Sequence, residues 1–292
     1  MADNENQKDA ISGVETTGHE WDGLKELNNP APRWWLWVFL LTVIWSVWYW
    51  VVYPAWPTMA GWTTGKYGWT QHHELKSSQA EILALRGKFQ EHIHTSSLEQ
   101  IQHDPDLYEF ARAGGAAAFK ENCAACHGTG AEGRKGYPNL NDDDWLWGGS
   151  LEQIYKTIRV GVRSGHPEEH NTIMPSFGRD GILKPQQVED VAEYVTHLHE
   201  GIKAAKSESF LRGQEVFSAN CSSCHGKNGE GNQEIGAPKL NDEIWLYGGR
   251  KEDIYDSVTT AHAGVMPTWE GRLPDDTIKE LVIYLHSLGG GK

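Results

Sequence analysis

The most apolar run of the chain lies near its N-terminus, in residues 34–53, which carry no charged side chain. At about 1.5 Å rise per residue, this length crosses the roughly 30 Å hydrocarbon core of a bilayer. Tryptophan and tyrosine crowd both ends of the run, as is typical of a segment that ends at the membrane interface. The pattern predicts one transmembrane helix over 34–53. A cleavable signal peptide is the alternative, but 33 mostly polar residues precede the run, and it is too long for a signal's apolar core.

The part of the chain after Ala116 contains an internal repeat, whose matching residues keep their order while the loops between them change length. The stretch from Pro138 to Gly149 matches the stretch from Pro238 to Gly249 at an offset of 100 residues. Each copy ends in an apolar stripe at helical spacing, formed by Val188, Val191, Ala192, Val195 and Leu198 in the first copy and by Ile278, Leu281, Val282, Leu285 and Leu288 in the second. Ser150 and Gln153 form a capping-box pattern at the start of a middle helix.

These patterns predict an all-α protein in which one N-terminal transmembrane helix is followed by two tandem small domains. We expect an N-terminal tail over 1–33, the anchor over 34–53 and a membrane-proximal spacer over 54–105. The two domains are expected over 106–202 and 210–292, and a short polar hinge over 203–209 joins them. The sequence does not indicate what the spacer packs against.

All four cysteines belong to two Cys-x-x-Cys-His motifs: Cys123, Cys126 and His127, then Cys221, Cys224 and His225. Two thiols at this spacing on one helical turn form thioethers with the vinyl groups of one haem, and the adjoining histidine ligates the iron. A redox Cys-x-x-Cys pair needs no trailing histidine, and a structural zinc site needs four ligands. The motifs therefore predict two covalently bound haem c groups.

Two methionines occupy matching positions in the repeats, and each is followed by proline: Met174 and Met266. A haem iron that transfers electrons needs a second axial ligand, and these thioethers are the leading candidates. Bis-histidine ligation is the alternative, with His166, His170 or His262, but these histidines do not match between the repeats. The order of residues does not show whether each methionine serves the haem of its own half or that of the other half.

Further residues are candidates for tuning the haem sites. The backbone carbonyls of Pro138 and Pro238 are placed to accept the second ring N–H of the two motif histidines, which would fix the orientation of the imidazoles. Trp145 and Trp245 are candidates for covering a haem edge or donating an N–H to a propionate, and ordinary core packing explains them about as well.

The formal net charge of −14 excludes nucleic acid as an expected partner, because phosphate binding needs clustered lysine and arginine. The acidic excess suits a basic soluble cytochrome c as electron donor, and plain solubility is an equally good explanation. In bacteria, haem c is attached on the oxidising side of the membrane. We therefore expect the bacterial inner membrane, with residues 1–33 cytoplasmic and the haem domains periplasmic.

Taken together, the anchor, its flanks and the two motifs resemble a known family. The flanking stretches are Thr17-Gly18-His19-Glu20-Trp21-Asp22-Gly23, Glu26-Leu27-Asn28-Asn29-Pro30 and Tyr53-Pro54-Ala55-Trp56-Pro57. With the two haem motifs, they resemble the dihaem subunit III of cbb3-type cytochrome c oxidases, the CcoP or FixP type. The resemblance runs from about Thr17 to the C-terminus.

The resemblance implies an electron-transfer subunit that is not an enzyme by itself. Such a subunit passes electrons from a soluble cytochrome c or a bc1 complex to a monohaem cytochrome c subunit, and on to a haem-copper subunit that reduces oxygen. The alternatives are the dihaem cytochrome c of a membrane dehydrogenase and a dihaem peroxidase. A peroxidase needs one iron with an open position, whereas both repeats offer a methionine in the same place.

Overall fold

The computed structural model describes residues 8–198 and 207–289, which divide into two compact units, Met1–Leu85 and Arg86–Lys292. In the first unit the elements are β1 (Thr16–Trp21), β2 (Leu24–Leu27), α1 (Arg33–Val52), β3 (Pro57–Thr58) and β4 (Gly61–Trp62). The strands form two antiparallel hairpins, β1 with β2 and β3 with β4. The turn between β1 and β2 is Asp22-Gly23, and both residues have positive φ, as a tight hairpin turn requires.

Helix α1 agrees with the predicted span to within one residue, and its side chains are almost all exposed, as those of a lipid-facing helix are. The hydroxyl groups of Thr42 and Ser46 are satisfied within the helix, since Thr42 donates to the Phe39 carbonyl and Ser46 to the Thr42 carbonyl. At its C-terminal end, the backbone N–H groups of Lys66 and Tyr67 donate to the carbonyls of Val51 and Val52. This loop therefore caps the helix where it ends.

Helix α2 (Gln71–Thr95) begins in the first unit and ends in the second, where it is followed by α3 (Leu98–His103). The remaining helices are α4 (Pro105–Asn122), α5 (Ala124–His127), α6 (Leu151–Val160), α7 (Pro185–Thr196), α8 (Glu208–Asn220), α9 (Ser222–His225), α10 (Lys251–Thr260) and α11 (Asp275–Leu288). Three of these helices begin at side chains that cap their first backbone N–H groups. Ser97 and Ser150 form capping boxes at the starts of α3 and α6, and Asp104 caps α4 through its carboxylate.

The second unit has two hydrophobic cores, and each draws helices from both sequence repeats. The first core consists of α3, α4, α6 and α11 with the end of α2, and α11 lies along α4. The second core consists of α7, α8 and α10, and α7 lies along α8. The final helices of the two repeats have therefore changed places.

This packing differs from the predicted division into domains over 106–202 and 210–292. Helix α7 precedes α8 directly in the chain, and helices joined by a short connection usually pack together. Of the predicted hinge 203–209, residues 203–206 lie outside the described residues, while Ser207 caps α8 and 208–209 belong to it. The predicted spacer 54–105 also differs, since buried Ile93, Leu98 and Ile101 place its last part in the first core.

Two glycines allow these exchanged helices to approach closely. A Cβ atom at Gly115 of α4 would overlap the backbone carbonyl of Glu280 in α11. A Cβ atom at Gly213 of α8 would overlap the backbone carbonyl of Asp190 in α7. The two crossings are thus equivalent, and backbone rather than side chain fills each contact.

We predict that Gly213→Ala destabilises the protein by about 1–3 kcal/mol, because the added methyl group forces α7 and α8 apart. Gly87→Ala is the matched control, since Gly87 is exposed in α2 and an added Cβ there meets nothing within 4 Å. The control should be neutral or should stabilise by up to about 1 kcal/mol. Denaturant unfolding of the haem-containing protein measures both, and equal effects would contradict the close contact.

A buried carboxylate lies at each crossing, and the two have opposite environments. Asp190 accepts two hydrogen bonds from Arg212, at 2.8 and 2.9 Å, and one from Ser209 at 2.6 Å. The hydrogen bonds from Arg212 are the main reason that the pKa of Asp190 is lowered to about 2. In the first core, Gly114 precedes Gly115 where Arg212 precedes Gly213, so the arginine is missing there.

Glu280 consequently lacks such a partner. Among the described residues its Oε1 has no hydrogen-bond partner, and the Arg86 guanidinium lies 3.7 Å away. Burial is the main reason that the pKa of Glu280 is raised to about 7, while Arg86 opposes the shift and nearby Asp276 adds to it.

We predict opposite pH dependences for the two carboxylates. As the pH rises from 4.5 to about 7, the unfolded chain ionises Glu280 before the folded chain does, so the wild type loses stability relative to Glu280→Gln. Asp190 stabilises the fold above pH 3.8, and this contribution is lost as the pH falls towards 2. At pH 8 we expect a thermal midpoint about 2–4 °C higher for Glu280→Gln and a lower one for Asp190→Asn. Midpoints of Glu280→Gln that parallel the wild type at every pH would contradict the argument.

Candidate haem-binding centres

Both Cys-x-x-Cys-His motifs lie at the junction of a long helix with a four-residue helix. In the first centre, Cys123 ends α4, and the amides of Cys126 and His127 donate to its carbonyl at 3.1 and 3.0 Å. The second centre repeats this geometry with the same two distances around Cys221, which ends α8. In each centre, a single helical turn therefore brings the two thiols and the imidazole close together.

The motif histidines are oriented by backbone carbonyls. His127 donates from Nδ1 to the Pro138 carbonyl at 3.1 Å, and His225 donates from Nδ1 to the Pro238 carbonyl at 3.0 Å. Burial lowers the pKa of both imidazoles, which keeps them neutral. A neutral imidazole with Nδ1 occupied has Nε2 left as a metal ligand, and the carbonyl fixes the plane of the ring.

The cysteines have the properties of attachment points rather than of redox catalysts. Burial raises the pKa of Cys123 and Cys221 to about 11, whereas a reactive Cys-x-x-Cys pair needs a lowered thiol pKa. Cys126 and Cys224 are exposed. Within residues 8–198 and 207–289, no group of three or more His, Cys, Asp or Glu side chains converges as a zinc site would require.

Each methionine packs in the core that contains the Cys-x-x-Cys-His motif of the other repeat. Met266 packs against the first core, together with Cys123 and Trp145. Met174 packs against the second core, together with Cys221 and Trp245. The exchange of α7 and α11 thus brings each methionine-bearing loop to the haem motif of the other repeat.

A cavity of about 870 Å³ opens over the second motif, and its walls include Met174, Cys221, Cys224 and His225. Its size and mostly apolar lining suit a large planar ligand. In the first centre, the buried indole N–H of Trp145 has no hydrogen-bond partner in the described part of the chain. Such an orphan donor fits a group that brings its own acceptor, as the propionate of a haem does. The residues of both centres therefore fit haem c.

The three histidines that are alternative ligands make side-chain contacts of their own, although His262 also lines the cavity over the second motif. His166 binds Glu270 at 2.7 Å through Nε2 and accepts the Glu168 N–H at 3.0 Å through Nδ1. His170 stacks on Trp147, with ring centroids 4.1 Å apart, and His262 stacks on Tyr247 at 3.9 Å. These contacts favour methionine over histidine as the second ligand.

Each methionine loop is fastened to the end of a middle helix in the repeat it has joined. Met266 exchanges two backbone hydrogen bonds with Val162, just after α6, both at 2.9 Å. In the Met174 loop, Ser176 donates to the Thr260 carbonyl at 2.8 Å, at the end of α10. Sequence reasoning missed these contacts, because neither residue pair is matched by a recognisable motif.

Three family models match this chain. Residues 13–60 match the family described as the N-terminal domain of cytochrome oxidase-cbb3, FixP. Residues 112–199 match the cytochrome c family, and residues 208–285 match the family of cbb3-type cytochrome c oxidase subunit III. Over its whole length, the chain is 50% identical to the full length of a cbb3-type cytochrome c oxidase subunit FixP from Bradyrhizobium sp. (strain ORS 278). The chain belongs to the FixP/CcoP family of cbb3-type cytochrome c oxidase subunits.

Other FixP/CcoP relatives are similar over nearly their whole length. A CcoP subunit from Azospirillum brasilense is 48% identical, with 98% of this chain and 99% of the relative covered. A FixP subunit from Rhizobium meliloti is 47% identical, with both chains covered in full. The resemblance seen in the sequence is confirmed, and so is a mostly helical fold with two cytochrome c domains, which imply covalently bound haem c. The FixP-type match includes α1, the candidate membrane anchor.

Proposed function

We propose that this chain is a membrane-anchored relay that carries two haem c groups and transfers electrons within a cbb3-type oxidase. The observation that carries the proposal is the pair of equivalent centres, each with a Cys-x-x-Cys-His turn, a carbonyl-oriented histidine and a methionine packed in the same core. A centre with both axial positions filled changes its ligands little between oxidation states, which suits electron transfer.

The residues act together at each centre. Covalently bound haem c supplies a one-electron iron couple. Cys123 and Cys126 hold the first haem and Cys221 and Cys224 the second, while His127 and His225 present Nε2 to the iron. Pro138 and Pro238 keep the imidazole planes fixed through their carbonyls. Trp145 has a free buried donor for a propionate, and Trp245 lines the second cavity.

We infer that the methionine ligands are crossed. Met266 would bind the first haem together with His127, and Met174 would bind the second haem together with His225. The placement of Met266 with Cys123 in one core, and of Met174 with Cys221 and His225 around one cavity, supports this assignment.

The oxygen-reducing site, on this proposal, belongs to a haem-copper subunit that receives electrons through a monohaem cytochrome c subunit. A soluble cytochrome c or a bc1 complex is the donor, and the net charge of −14 favours a basic donor surface. Because haem c is attached on the oxidising side, the haem domains are periplasmic and residues 1–33 are cytoplasmic. A peroxidase is less well supported, because both centres have a methionine available.

We predict that the crossed ligands can be assigned in a variant that keeps only the first haem, with Cys221→Ala and Cys224→Ala. In that background, Met266→His should abolish the far-red absorption band of thioether-ligated ferric haem and lower the haem potential, since histidine ligation gives lower potentials. Met174→His should leave the band in place. The reverse result would mean that each methionine serves its own repeat.

Proton NMR of the intact reduced protein provides the same assignment with both haems present. Met266→His should remove the ligated-methyl signal that shows contacts with the haem on Cys123 and Cys126. Loss of the other methyl signal would contradict the crossed arrangement.

We predict that the chain, purified from its native membranes in mild detergent, brings with it b-type haem, copper and oxygen uptake from reduced cytochrome c. The isolated chain is the control, and it should show two haem c groups, no oxygen uptake and little binding of carbon monoxide when reduced. Copurification with a dehydrogenase and without copper would support the dehydrogenase alternative. Rapid carbon monoxide binding by the isolated chain would support the peroxidase.

A further inference from the structure

Arg163 lies between the two methionine loops and binds both. Its Nε donates to the Gly264 carbonyl at 2.6 Å, and its Nη1 donates to the Thr172 carbonyl at 2.8 Å. Gly264 comes two residues before Met266, and Thr172 comes two residues before Met174. One guanidinium group thus holds the backbones that carry both candidate axial ligands.

The backbone around Arg163 is also hydrogen-bonded to both loops. The Arg163 N–H donates to the His170 carbonyl at 2.8 Å, and its neighbour Val162 pairs with Met266 in both directions. Arg163 has a φ of 49°, in the left-handed region that side chains other than glycine rarely adopt. A strained backbone of this kind persists only where surrounding contacts hold it.

The second repeat has no such arginine. Gly161 and Ala261 end the corresponding helices α6 and α10, and both have positive φ. Two residues further on, Arg163 in the first repeat corresponds to Ala263 in the second. The link between the loops therefore depends on a residue that occurs in one repeat only.

The chemistry of the guanidinium suits this task. Its planar fork donates in several fixed directions, so that one side chain can serve two acceptors at once. Arg163 is half-buried and also lines the cavity over the second motif. Burial lowers the pKa of Arg163, but an arginine side chain in a protein stays protonated at neutral pH. Its hydrogen bonds are therefore charge-assisted, which makes them stronger than bonds between neutral groups.

We propose that Arg163 is a positioning residue that ties the two methionine loops together, so that thioether ligation of both haem irons depends on one side chain. This inference rests on the crossed ligation proposed above. Since a methionine must leave the iron before an external ligand can bind, the tie keeps both centres closed to small molecules. A change that loosens one loop therefore also weakens methionine ligation by the other loop.

The test uses the full-length protein with both haems and compares Arg163→Ala with Arg179→Ala. The Arg179 side chain forms its hydrogen bonds within the Met174 loop, where it donates to Ser176 at 2.6 Å and to Asp180 at 3.4 Å, and it is 66% exposed. Each substitution is placed in a Met266→His background, where the remaining far-red band reports Met174, and in a Met174→His background, where it reports Met266. Urea titration of the ferric band and the rate of carbon monoxide binding to the reduced protein are the two readouts.

We expect Arg163→Ala to lower the urea midpoint of the band, and to raise the rate of carbon monoxide binding about 10-fold or more, in both backgrounds. This size corresponds to the loss of one charge-assisted hydrogen bond per loop. Arg179→Ala should have an effect in the Met266→His background only. Both readouts report release of methionine from the iron, whereas a change in haem potential alone, with both readouts unchanged, would indicate electrostatic tuning.

An effect of Arg163→Ala in one background, or in neither, overturns the proposal. If the alanine variant does not mature, Arg163→Asn replaces it, because asparagine accepts a left-handed φ more readily and is too short to bind both carbonyls. The same two-sided effect is then required. If the far-red band is absent before Arg163 is changed, the crossed ligation itself fails, and that result is distinct from a one-sided effect.

Discussion

The close packing of α11 on α4 and of α7 on α8 determines where every functional group of the second unit lies. Each pair meets at a glycine, Gly115 or Gly213, where a side chain would collide with the backbone of the facing helix. The methionine loops directly precede the exchanged helices, so they follow them into the other repeat. These two contacts therefore place the methionine of each repeat in the core that holds the Cys-x-x-Cys-His motif of the other repeat.

The exchange gives the two centres similar geometry and different surroundings. Their histidines make carbonyl hydrogen bonds of 3.1 and 3.0 Å, so the two candidate ligands are oriented in the same way. Around them, Asp190 is paired with Arg212 while Glu280 lacks a close partner, and only the first repeat supplies an arginine between the loops. The two repeats thus differ at positions where one repeat contacts the other.

Much of this could be predicted from the sequence, because the signals are local. Spacing alone located both Cys-x-x-Cys-His motifs, the apolar stripes of α7 and α11 and the capping box of Ser150 with Gln153. The structure confirms the buried stripes and the capping box. The exchange could not be predicted, since the stripes of α7 and α11 are alike and either would suit α4 or α8. The role of Arg163 depends on a left-handed backbone and on loops from both repeats, which no single stretch of sequence reveals. The hairpin of β1 and β2 differs from the all-α prediction, although an Asp-Gly pair is a typical hairpin turn.

The crossed path of the chain also sets the order in which the two cores are completed during synthesis. The first Cys-x-x-Cys-His motif has been made once residue 127 is added, but the helix that completes its core ends only at Leu288. The second core is built from α7, α8 and α10, the last of which ends at Thr260. A chain truncated before Met266 would therefore keep Met174 for the second core and have no methionine for the first.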